Sequence, residues 1–352
     1  MISFLNDYSE GAHPAVLRAL EKHNLVPTVG YGEDEITREA KELLRRAMGK
    51  EDAEIHFLVG GTQTNSAAAA FLLRPWEGVI SAETGHIAQH ETGAVEAAGH
   101  KVLTLPSHAG KLRPGEVRAA LLSHRENEIR EHTVKPGMIY ISNPTELGTV
   151  YDREELRALK EAAEEFRVPL YLDGARLGSA LAAAGERLTL RDIARYTDVF
   201  TVGGTKNGML FGEALVFPDP EKAREFRYLE KQRGAMLAKG WLLGLQFKAL
   251  FEDGLYFRLA EEAVGLARRL SDGLRKAGAE LYVESPTNQV FVLLSEEEAA
   301  CLREKYAFEF WEKPDGEKSV YRFVVSFART GEEIDSLLRD AGDLIGKRNK
   351  RS

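Results

Sequence analysis

Residues 199–209, VFTVGGTKNGM, join an apolar strand pattern to a glycine-rich turn that contains one lysine. Val199–Val202 has the composition of a buried strand, and Gly203 and Gly204 end it just before Lys206. Open α/β sheets bind their ligands outside the carboxyl ends of the strands. A lysine amine at such an end can form a Schiff base with a carbonyl compound. The competing interpretation is a solvated turn lysine, so the choice depends on partners elsewhere in the chain.

Apolar runs and helical patterns alternate on both sides of this stretch. The apolar runs predict seven strands, at 55–59, 79–82, 102–105, 138–142, 168–172, 199–202 and 214–217. Helical patterns lie between many of them, at 64–73, 86–98, 114–122 and 153–166. This alternation is typical of a mostly parallel sheet with helices on both faces. We therefore expect an α/β fold built on a mostly parallel seven-stranded sheet.

The C-terminal part of the chain has a different pattern. Helical periodicity dominates residues 219–277, and strand patterns return at 289–294 and 320–327 among further helical segments. The change indicates a second unit of α+β type. We expect a large domain at 1–254, which includes the N-terminal segment, and a smaller domain at 255–352.

The composition narrows the class of protein. The chain has 352 residues, and 43% of them are hydrophobic, which allows a large core and argues against global disorder. Its net charge of −8 argues against a dedicated nucleic-acid binder. Cys301 is the one cysteine, so an intrachain disulfide is excluded and a reducing compartment is expected. The sequence has no signal-peptide pattern and no apolar run long enough to span a bilayer, so we expect a cytoplasmic protein without a membrane partner.

A second strand end carries a turn of the kind that binds phosphate. Residues 60–66, GGTQTNS, follow the strand pattern IHFLV and precede an alanine-rich helix. The free N–H groups and the positive dipole end of a helix N-terminus attract anions, and glycines let a phosphate approach the backbone. The stretch has neither the Walker pattern nor GxGxxG. It therefore indicates a phosphate without naming a nucleotide, or else an ordinary strand-to-helix turn.

A third strand pattern, 168–172, runs into the sequence DGAR, from Asp173 to Arg176. A carboxylate at this position is well placed to hold a cationic nitrogen of a ligand. The guanidinium of Arg176 matches the geometry of a carboxylate. An ion pair between Asp173 and Arg176 at the surface is the alternative. A further arginine, Arg322, lies between apolar residues of a strand pattern and faces either a cleft or solvent.

His86 and His90 are four residues apart within the predicted helix 86–98, so they would share one helix face. Zinc-binding helices use this spacing, but Ile87 stands where the HExxH motif has its glutamate. We therefore expect no metal ion. A stacking or acid–base role for His86 stays open, as does simple packing of both histidines.

A phosphate-binding turn, an aspartate and a lysine amine at strand ends are what pyridoxal 5'-phosphate requires. The phosphate would bind the helix N-terminus near residue 61, and Asp173 would keep the pyridine nitrogen protonated. Lys206 would hold the aldehyde, and an imidazole from the 86–90 segment can cover the ring. Arginines can bind the carboxylate of an amino acid, so a small amino-acid substrate is the expected partner.

The sequence also resembles the pyridoxal-phosphate enzymes of fold type I, and among them the low-specificity L-threonine aldolases and the aromatic amino acid β-eliminating lyases. The resemblance covers nearly the whole chain. It is carried, in this order, by VGYGEDEIT at 29–37, GGTQTN at 60–65, ETGHIAQHETGA at 83–94, SNPTELGTVYD at 142–152, LDGARLGSAL at 172–181 and GGTKNG at 203–208. It implies an aspartate-aminotransferase-like fold with a large cofactor-binding domain and a small C-terminal domain.

The resemblance also implies roles for individual residues. Contacts with the cofactor are implied for Gly61, Thr62, Gln63, His86, Asp173, Thr205, Lys206 and Lys239. Contacts with the substrate are implied for Asn6, Tyr31, Arg176 and Arg322. Catalytic roles are implied for Lys206, His86 and Asp173, and we expect His86 or His90, directly or through water, to take the proton of the β-hydroxyl. Tyr31 and Lys239 lie in segments that reach the neighbouring subunit in the family, which implies a homodimer or homotetramer with shared active sites.

The activity that the resemblance implies is retro-aldol cleavage of L-threonine or L-allo-threonine to glycine and an aldehyde. Two departures leave the base for the β-hydroxyl open. Residues 143–146 lack a histidine that many aldolases carry, and His90 stands where some relatives have tyrosine. β-Elimination or transamination on a small amino acid is the alternative. A non-catalytic vitamer-binding module and a metal hydrolase that uses His86 and His90 are weaker alternatives.

Overall fold

The computed structural model describes residues 1–348. In this part of the chain the strands are β1 (Ile2–Ser3), β2 (Glu54–Leu58), β3 (Glu77–Ala82), β4 (Val102–Leu105), β5 (Lys135–Ser142), β6 (Leu170–Asp173), β7 (Val199–Gly203), β8 (Glu213–Phe217), β9 (Glu280–Leu281), β10 (Gln289–Leu294), β11 (Tyr306–Ala307), β12 (Glu309–Glu312) and β13 (Ser319–Val324). The α-helices are α1 (Pro14–His23), α2 (Glu35–Met48), α3 (Gly61–Leu72), α4 (His86–Gln89), α5 (Ala94–Ala97), α6 (Pro114–Glu126), α7 (Arg153–Phe166), α8 (Leu177–Ala184), α9 (Leu190–Tyr196), α10 (Phe226–Gln232), α11 (Trp241–Phe251), α12 (Leu255–Lys276), α13 (Glu296–Arg303) and α14 (Gly331–Arg348).

The largest sheet contains seven strands in the order β2-β8-β7-β6-β5-β3-β4. All neighbours from β4 to β7 are parallel, whereas β8 is antiparallel to both β7 and β2. Alternate residues belong to two separate hydrophobic cores: Ile139 and Leu170 pack in one, and Tyr140 and Tyr171 in the other. The sheet is therefore buried on both faces, which explains the continuous apolar runs. The expected α/β fold with a mostly parallel seven-stranded sheet is confirmed.

Helix ends follow from local capping. The side chain of Asp34 accepts a hydrogen bond of 2.8 Å from the backbone N–H of Thr37 and so begins α2. Gly49, with a φ of 65°, ends the same helix in the left-handed conformation that glycine adopts without strain. Asp152 and Glu155 form a reciprocal capping box at the start of α7.

The predicted helix 86–98 is wrong. The structure has two four-residue helices there, α4 and α5. Between them Thr92 and Gly93 have φ values of 51° and 73°, and two consecutive left-handed residues cannot continue a right-handed helix. The break matters for function because it turns Glu91 inward, where that residue is buried.

A four-stranded antiparallel sheet, in the order β12-β13-β10-β9, forms in the C-terminal part of the chain. A hydrophobic core behind it combines residues of this sheet with α12, α13 and α14. Phe4 also packs into this core, because β1 pairs in parallel with β11. The N-terminal segment is thereby attached to the C-terminal sheet.

The division of the chain into domains at 1–254 and 255–352 stays a prediction. Helix α12 contributes Tyr256 and Leu259 to the core of the large sheet and Ala267 and Leu270 to the C-terminal core. The last residues of the predicted small domain, 349–352, lie outside the described part of the chain. Across residues 1–348, the structure contains no helix with the length and apolar character needed to cross a membrane.

Gly203→Ala is expected to lower the free energy of unfolding by about 1–3 kcal/mol, the usual cost of overpacking. A Cβ at this position would lie 2.3 Å from the carbonyl oxygen of Ala175, and the next nearest atoms, at 2.6 and 2.8 Å, are backbone atoms of the same residue, which leaves little room to adjust. The measurement is urea unfolding followed by circular dichroism. Gly115→Ala is the matched control, because a Cβ there meets no atom within 4 Å and α6 should be unchanged or slightly stabilised. Equal stability of the two variants would contradict the close approach at Gly203.

Candidate active site

A cavity of about 410 Å³ opens at the carboxyl edge of the large sheet. Its lining includes nine residues that the sequence singled out, which are Gly61, Thr62, His86, His90, Asp173, Arg176, Thr205, Lys206 and Arg322. The parallel arrangement of β6 and β7 explains part of this grouping, since the ends of parallel strands meet at one edge. Arg322 comes from β13 of the C-terminal sheet, so it faces the cleft and not solvent.

The N-terminus of α3 opens directly into the cavity. Its N-cap, Gly60, has no side chain, and no other side chain caps this terminus. A Cβ built at Gly60 or at Gly61 would meet no atom within 4 Å. These glycines therefore keep space free beside the first backbone N–H groups, which is the geometry of an anion site. Gln63 does not line the cavity, and its Oε1 accepts a hydrogen bond of 3.4 Å from the N–H of Val59.

Asp173 is a buried carboxylate with three hydrogen-bond donors. Its Oδ2 accepts bonds of 2.7 Å from the hydroxyl of Tyr140 and 2.8 Å from the amide of Asn65. Its Oδ1 accepts a bond of 2.9 Å from the N–H of Ala175. Burial alone would raise the pKa of Asp173, but the charge of His86 and these donors outweigh it and lower the pKa. Asp173 is therefore held as an anion that faces the cavity.

His86 is linked to the same network through Glu91. Its Nδ1 lies 2.8 Å from Oε1 of Glu91, which also accepts a bond of 2.8 Å from Asn65. Burial lowers the pKa of His86, but the hydrogen bond to Glu91 and the charge of Asp173 raise it above its ordinary value. Because the pKa of His86 is higher in the folded than in the unfolded protein, protonated His86 stabilises the fold. This stabilisation is complete below the pKa of the unfolded state and is lost as the pH rises through the pKa of the folded state.

His90 differs from His86 in its surroundings. Its ring is exposed, 5.6 Å from the ring of His86 and 6.1 Å from that of Trp311. Burial and the neighbouring charges of His86 and Arg322 lower the pKa of His90. The two histidines thus have opposite tendencies, and His90 is the one that favours the neutral form.

Ligand atoms of His86, Glu91 and Asp173 lie within 4.8 Å of one another, a grouping that could hold a metal ion. In the structure Asn65 and Tyr140 donate hydrogen bonds to the two acids, and the imidazole contacts Glu91. These contacts orient both acids without a cation. The expectation of no metal ion stays a prediction.

Lys206 lies in the β7–β8 turn with its amine 5.8 Å from the centre of the Tyr8 ring. Burial and the positive charge of Arg176 lower the pKa of this amine, and nearby carboxylates only partly oppose them. A lowered pKa increases the fraction of neutral, nucleophilic amine at neutral pH. Lys206 is therefore not a solvated turn residue.

Both arginines of the cavity are paired with carboxylates of the chain. Arg176 forms a two-point ion pair with Asp7, with bonds of 2.7 and 3.0 Å, so the alternative of a surface pair with Asp173 is wrong. Arg322 forms an ion pair with Glu309, and its guanidinium lies 4.9 Å from the centre of the Trp311 ring. These contacts fix the direction of both guanidinium groups toward the cavity.

Three other residues with implied roles lie outside the cavity of their own chain. The side-chain oxygen of Asn6 accepts hydrogen bonds from the backbone N–H of Tyr8 and from the hydroxyl of Ser9. Tyr31 is 44% exposed, has a φ of 61° and lies under the amine of Lys231. Lys239 is exposed, and the backbone N–H of Tyr31 donates to the carbonyl of Ala238 beside it. Tyr31 and Lys239 therefore belong to two joined surface loops, and their implied role across a subunit interface stays a prediction.

Sequence reasoning missed Asp7, Glu91 and Glu213. Glu213 lines the cavity and is 2% exposed, and its Oε2 has no hydrogen-bond partner within residues 1–348. Burial and the charge of Asp173 raise its pKa well above the ordinary value, although Lys206 opposes them. A carboxylate at the start of an apolar run was visible in the sequence. Its location was not, because only an antiparallel β8 brings its first residue to the edge where the parallel strands end.

The cavity and the sheet define an α/β enzyme whose site combines a lysine, a buried aspartate and an open helix N-terminus at one sheet edge. Aspartate aminotransferase of Thermus thermophilus has the same fold, with a TM-score of 0.70 and 18% identity over 97% of this chain and 91% of that chain. The chain belongs to the β-eliminating lyase family, whose model matches residues 7–297.

Relatives within this class carry a common name. A low-specificity L-threonine aldolase of a Pseudomonas species is 35% identical over 86% of this chain and 87% of the relative. One from Pseudomonas aeruginosa is 32% identical over 97% of this chain and 98% of the relative. The structure of Leishmania major threonine aldolase matches with a TM-score of 0.94 and 41% identity, over 98% of this chain and 100% of that chain.

Glu91→Gln is expected to lower the pKa of His86, because an amide cannot favour the imidazolium as a carboxylate does. The measurement is an NMR titration of the histidine ring signals, with His86→Asn used to identify the signal. Glu83→Gln, which changes an exposed carboxylate outside the cavity, is the matched control and should leave this pKa unchanged. An unchanged pKa in Glu91→Gln would show that the hydrogen bond is not the cause of the shift.

Proposed function

We propose that the protein cleaves L-threonine and L-allo-threonine to glycine and acetaldehyde with the help of pyridoxal 5'-phosphate. The observation that carries the proposal is the convergence of Lys206, Asp173 and the open N-terminus of α3 on one cavity. The family and the aldolase relatives support the same reaction. The test is the product mixture formed from L-threonine in the presence of the cofactor, in which glycine and acetaldehyde are expected.

The residues of the cavity fit the cofactor. The space beside Gly60 and Gly61 would take the phosphate, since an added Cβ there meets nothing. The anionic carboxyl of Asp173 would hold the pyridinium nitrogen, and Lys206 would hold the aldehyde carbon. When bound, pyridoxal 5'-phosphate supplies an electron-withdrawing ring that stabilises negative charge at the α-carbon of an amino acid. Thr62 and Thr205 also line the cavity and would add hydroxyl groups near the phosphate, and His86 would cover the ring.

The arginines would bind the carboxylate of the substrate. Arg176 is held rigidly by Asp7, which also accepts a bond of 2.9 Å from Asn288. Arg322 approaches from the C-terminal sheet, and a substrate carboxylate would share it with Glu309 or displace that residue. Fixing the carboxylate would fix the rotation about the bonds of the α-carbon. Arg176 and Arg322 would thereby select which of these bonds is activated by the cofactor.

The two imidazoles of the cavity favour different protonation states. His86, whose pKa is raised by Glu91 and Asp173, favours the cationic form and is suited to covering and orienting an anionic ligand. His90, whose pKa is lowered, favours the neutral form, and it lines the cavity near Trp311.

β-Elimination and transamination are the alternatives within the same class, and they would use the same lysine, aspartate and arginines. Pyruvate and ammonia from serine or cysteine would favour elimination, whereas glycine from threonine favours the aldolase. A metal hydrolase at His86, Glu91 and Asp173 would lose activity with a chelator and keep it with hydroxylamine. The proposed enzyme should show the opposite pattern, because hydroxylamine reacts with the cofactor carbonyl.

We further propose a homodimer or homotetramer in which the loops of Tyr31 and Lys239 reach the active site of the neighbouring subunit. Their hydrogen-bonded arrangement at the surface, away from the cavity of their own chain, supports this. The single cysteine supports a reducing compartment, and we propose the cytoplasm.

Lys206→Ala is expected to lose both the near-visible absorbance of the bound cofactor and all detectable cleavage of threonine. The reason is that Lys206 supplies the one amine that would bond to the cofactor carbonyl. Lys206→Arg is the matched control for charge. It should also lose the absorbance and the activity, because a guanidinium group stays protonated at neutral pH and is not nucleophilic. A Lys206→Ala protein that keeps both the absorbance and the activity would overturn the assignment.

Mixing inactive Lys206→Ala and Lys239→Ala subunits is expected to restore part of the activity. If each site takes Lys206 from one subunit and Lys239 from the other, one site in every hybrid dimer has both lysines intact. The measurement is threonine cleavage after the two proteins are unfolded together and refolded, compared with each protein treated alone. Hybrids without any recovered activity would count against shared sites.

A further inference from the structure

Glu146 lies where the main cavity meets a smaller recess, and it lines both. The recess is also lined by Ser142, His86, Asp173, Arg176 and Lys206. Glu146 is partly exposed, and both of these spaces border it. A carboxyl group in this position can contact a ligand held by Lys206 and Arg176.

The hydrogen bonds of Glu146 distinguish its two oxygens. Oε1 accepts a bond of 2.8 Å from the backbone N–H of His86 and one of 2.6 Å from the hydroxyl of Ser142. Within residues 1–348, no side chain donates a hydrogen bond to Oε2. These two donors both bond to Oε1, so Oε2 is the oxygen to which neither of them is bonded. Oε2 is therefore the candidate atom for proton exchange with a ligand.

The surroundings of Glu146 make it a stronger base than an ordinary glutamate. Burial and the charge of Asp173 raise its pKa, and together they outweigh the opposing effects of Ser142, of its own backbone and of His86. The other titratable or charged groups near it are Tyr140, Tyr151, Arg176 and Lys206. A base whose pKa approaches the working pH is the most effective proton acceptor.

Neither histidine of the cavity combines a position in the recess with the ability to accept a proton. Nδ1 of His86 is bonded to Glu91, and the raised pKa favours the cationic form of this ring, which is a poor proton acceptor. His90 favours the neutral form but lies near Trp311, and it does not line the recess that contains Lys206 and Arg176. Glu146 is the proton acceptor that lines the recess together with Lys206 and Arg176.

We propose that Oε2 of Glu146 is the base that takes the proton from the β-hydroxyl of the substrate, an inference that rests on the proposed function. The O–H bond breaks as the proton moves to Glu146, and the oxygen forms the C=O bond of the aldehyde. The Cα–Cβ bond breaks, and its electron pair stays on the α-carbon. Protonation of that carbon then gives glycine, so one proton leaves oxygen, one reaches carbon, and the overall charge is unchanged.

Two reactions of the same protein, loaded with pyridoxal 5'-phosphate, test the proposal. Cleavage of L-threonine needs a base for the β-hydroxyl, whereas exchange of the α-hydrogen of glycine in D₂O does not, because glycine has no β-carbon. Glu146→Gln keeps an oxygen that can accept from His86 and Ser142 but cannot take a proton. It is expected to reduce kcat for cleavage about 10²- to 10⁴-fold and to change glycine exchange, followed by NMR, by less than about threefold.

Equilibrium binding supplies a readout that does not depend on turnover. Dissociation constants of Glu146→Gln for the cofactor and for glycine, from absorbance titrations, are expected to stay within about threefold of wild type. Glu83→Gln is the matched control and should change neither reaction. In the wild type, kcat/KM for cleavage should fall as the pH is lowered and Glu146 is protonated, and glycine exchange should not follow this limb. The absence of a limb specific to cleavage would contradict the proposal even if Glu146→Gln fails to fold.

Three results would overturn the assignment of Glu146. One is an equal loss of cleavage and exchange, which would indicate a structural role. Another is unimpaired cleavage in Glu146→Gln, and the third is a selective loss of cleavage in His90→Asn alone. Failure of the wild type to form glycine from threonine would refute the proposed function first, and this outcome is visible before any variant is made.

Discussion

The buried carboxylate of Asp173 is the constraint on which the rest of the site depends. An anion taken out of water is unstable unless hydrogen bonds and opposite charges replace its hydration. Here the replacements come from Tyr140 on β5, Asn65 on α3 and His86 on α4. Asn65 is itself held by the hydroxyl of Tyr171 at 2.7 Å. One carboxylate therefore fixes the relative positions of an imidazole, a helix N-terminus and two strands.

A second constraint comes from charge pairing across distant parts of the chain. Asp7 reaches Arg176 over 169 positions, and Arg329 pairs with Glu10 at 2.6 Å in the same way. The N-terminal segment thus connects the large sheet with the C-terminal sheet, which supplies Arg322. Because Asp7 and Arg176 are both largely removed from solvent, losing one partner would leave the other as an unpaired charge. The geometry that selects a substrate carboxylate and the attachment of the C-terminal sheet depend on the same contacts.

Much of this site could be predicted because parallel strands place their chemistry at one edge. The residues after predicted strands, Gly61, Asp173 and Lys206, indeed line one cavity. The wrong prediction of a helix over 86–98 also has a physical cause. Helix periodicity in 86–98 did not reveal the left-handed residues at Thr92 and Gly93, which place Glu91 beside His86. Tyr31 and Lys239 lie on surface loops outside the cavity of their own chain.

The sequence by itself determined the alternation of strands and helices, the carboxylate, amine and glycines at strand ends, and the family to which they belong. Local patterning is sufficient for these features, since period, capping and strand-end position are properties of neighbouring residues. Only the tertiary structure decided which of two similar groups favours its charged form. The pKa of His86 is raised and that of His90 is lowered, although both are imidazoles. Among the carboxyl groups, the pKa of Asp173 is lowered and that of Glu213 is raised. Burial and partners set these values, and both depend on residues that lie far away in the chain.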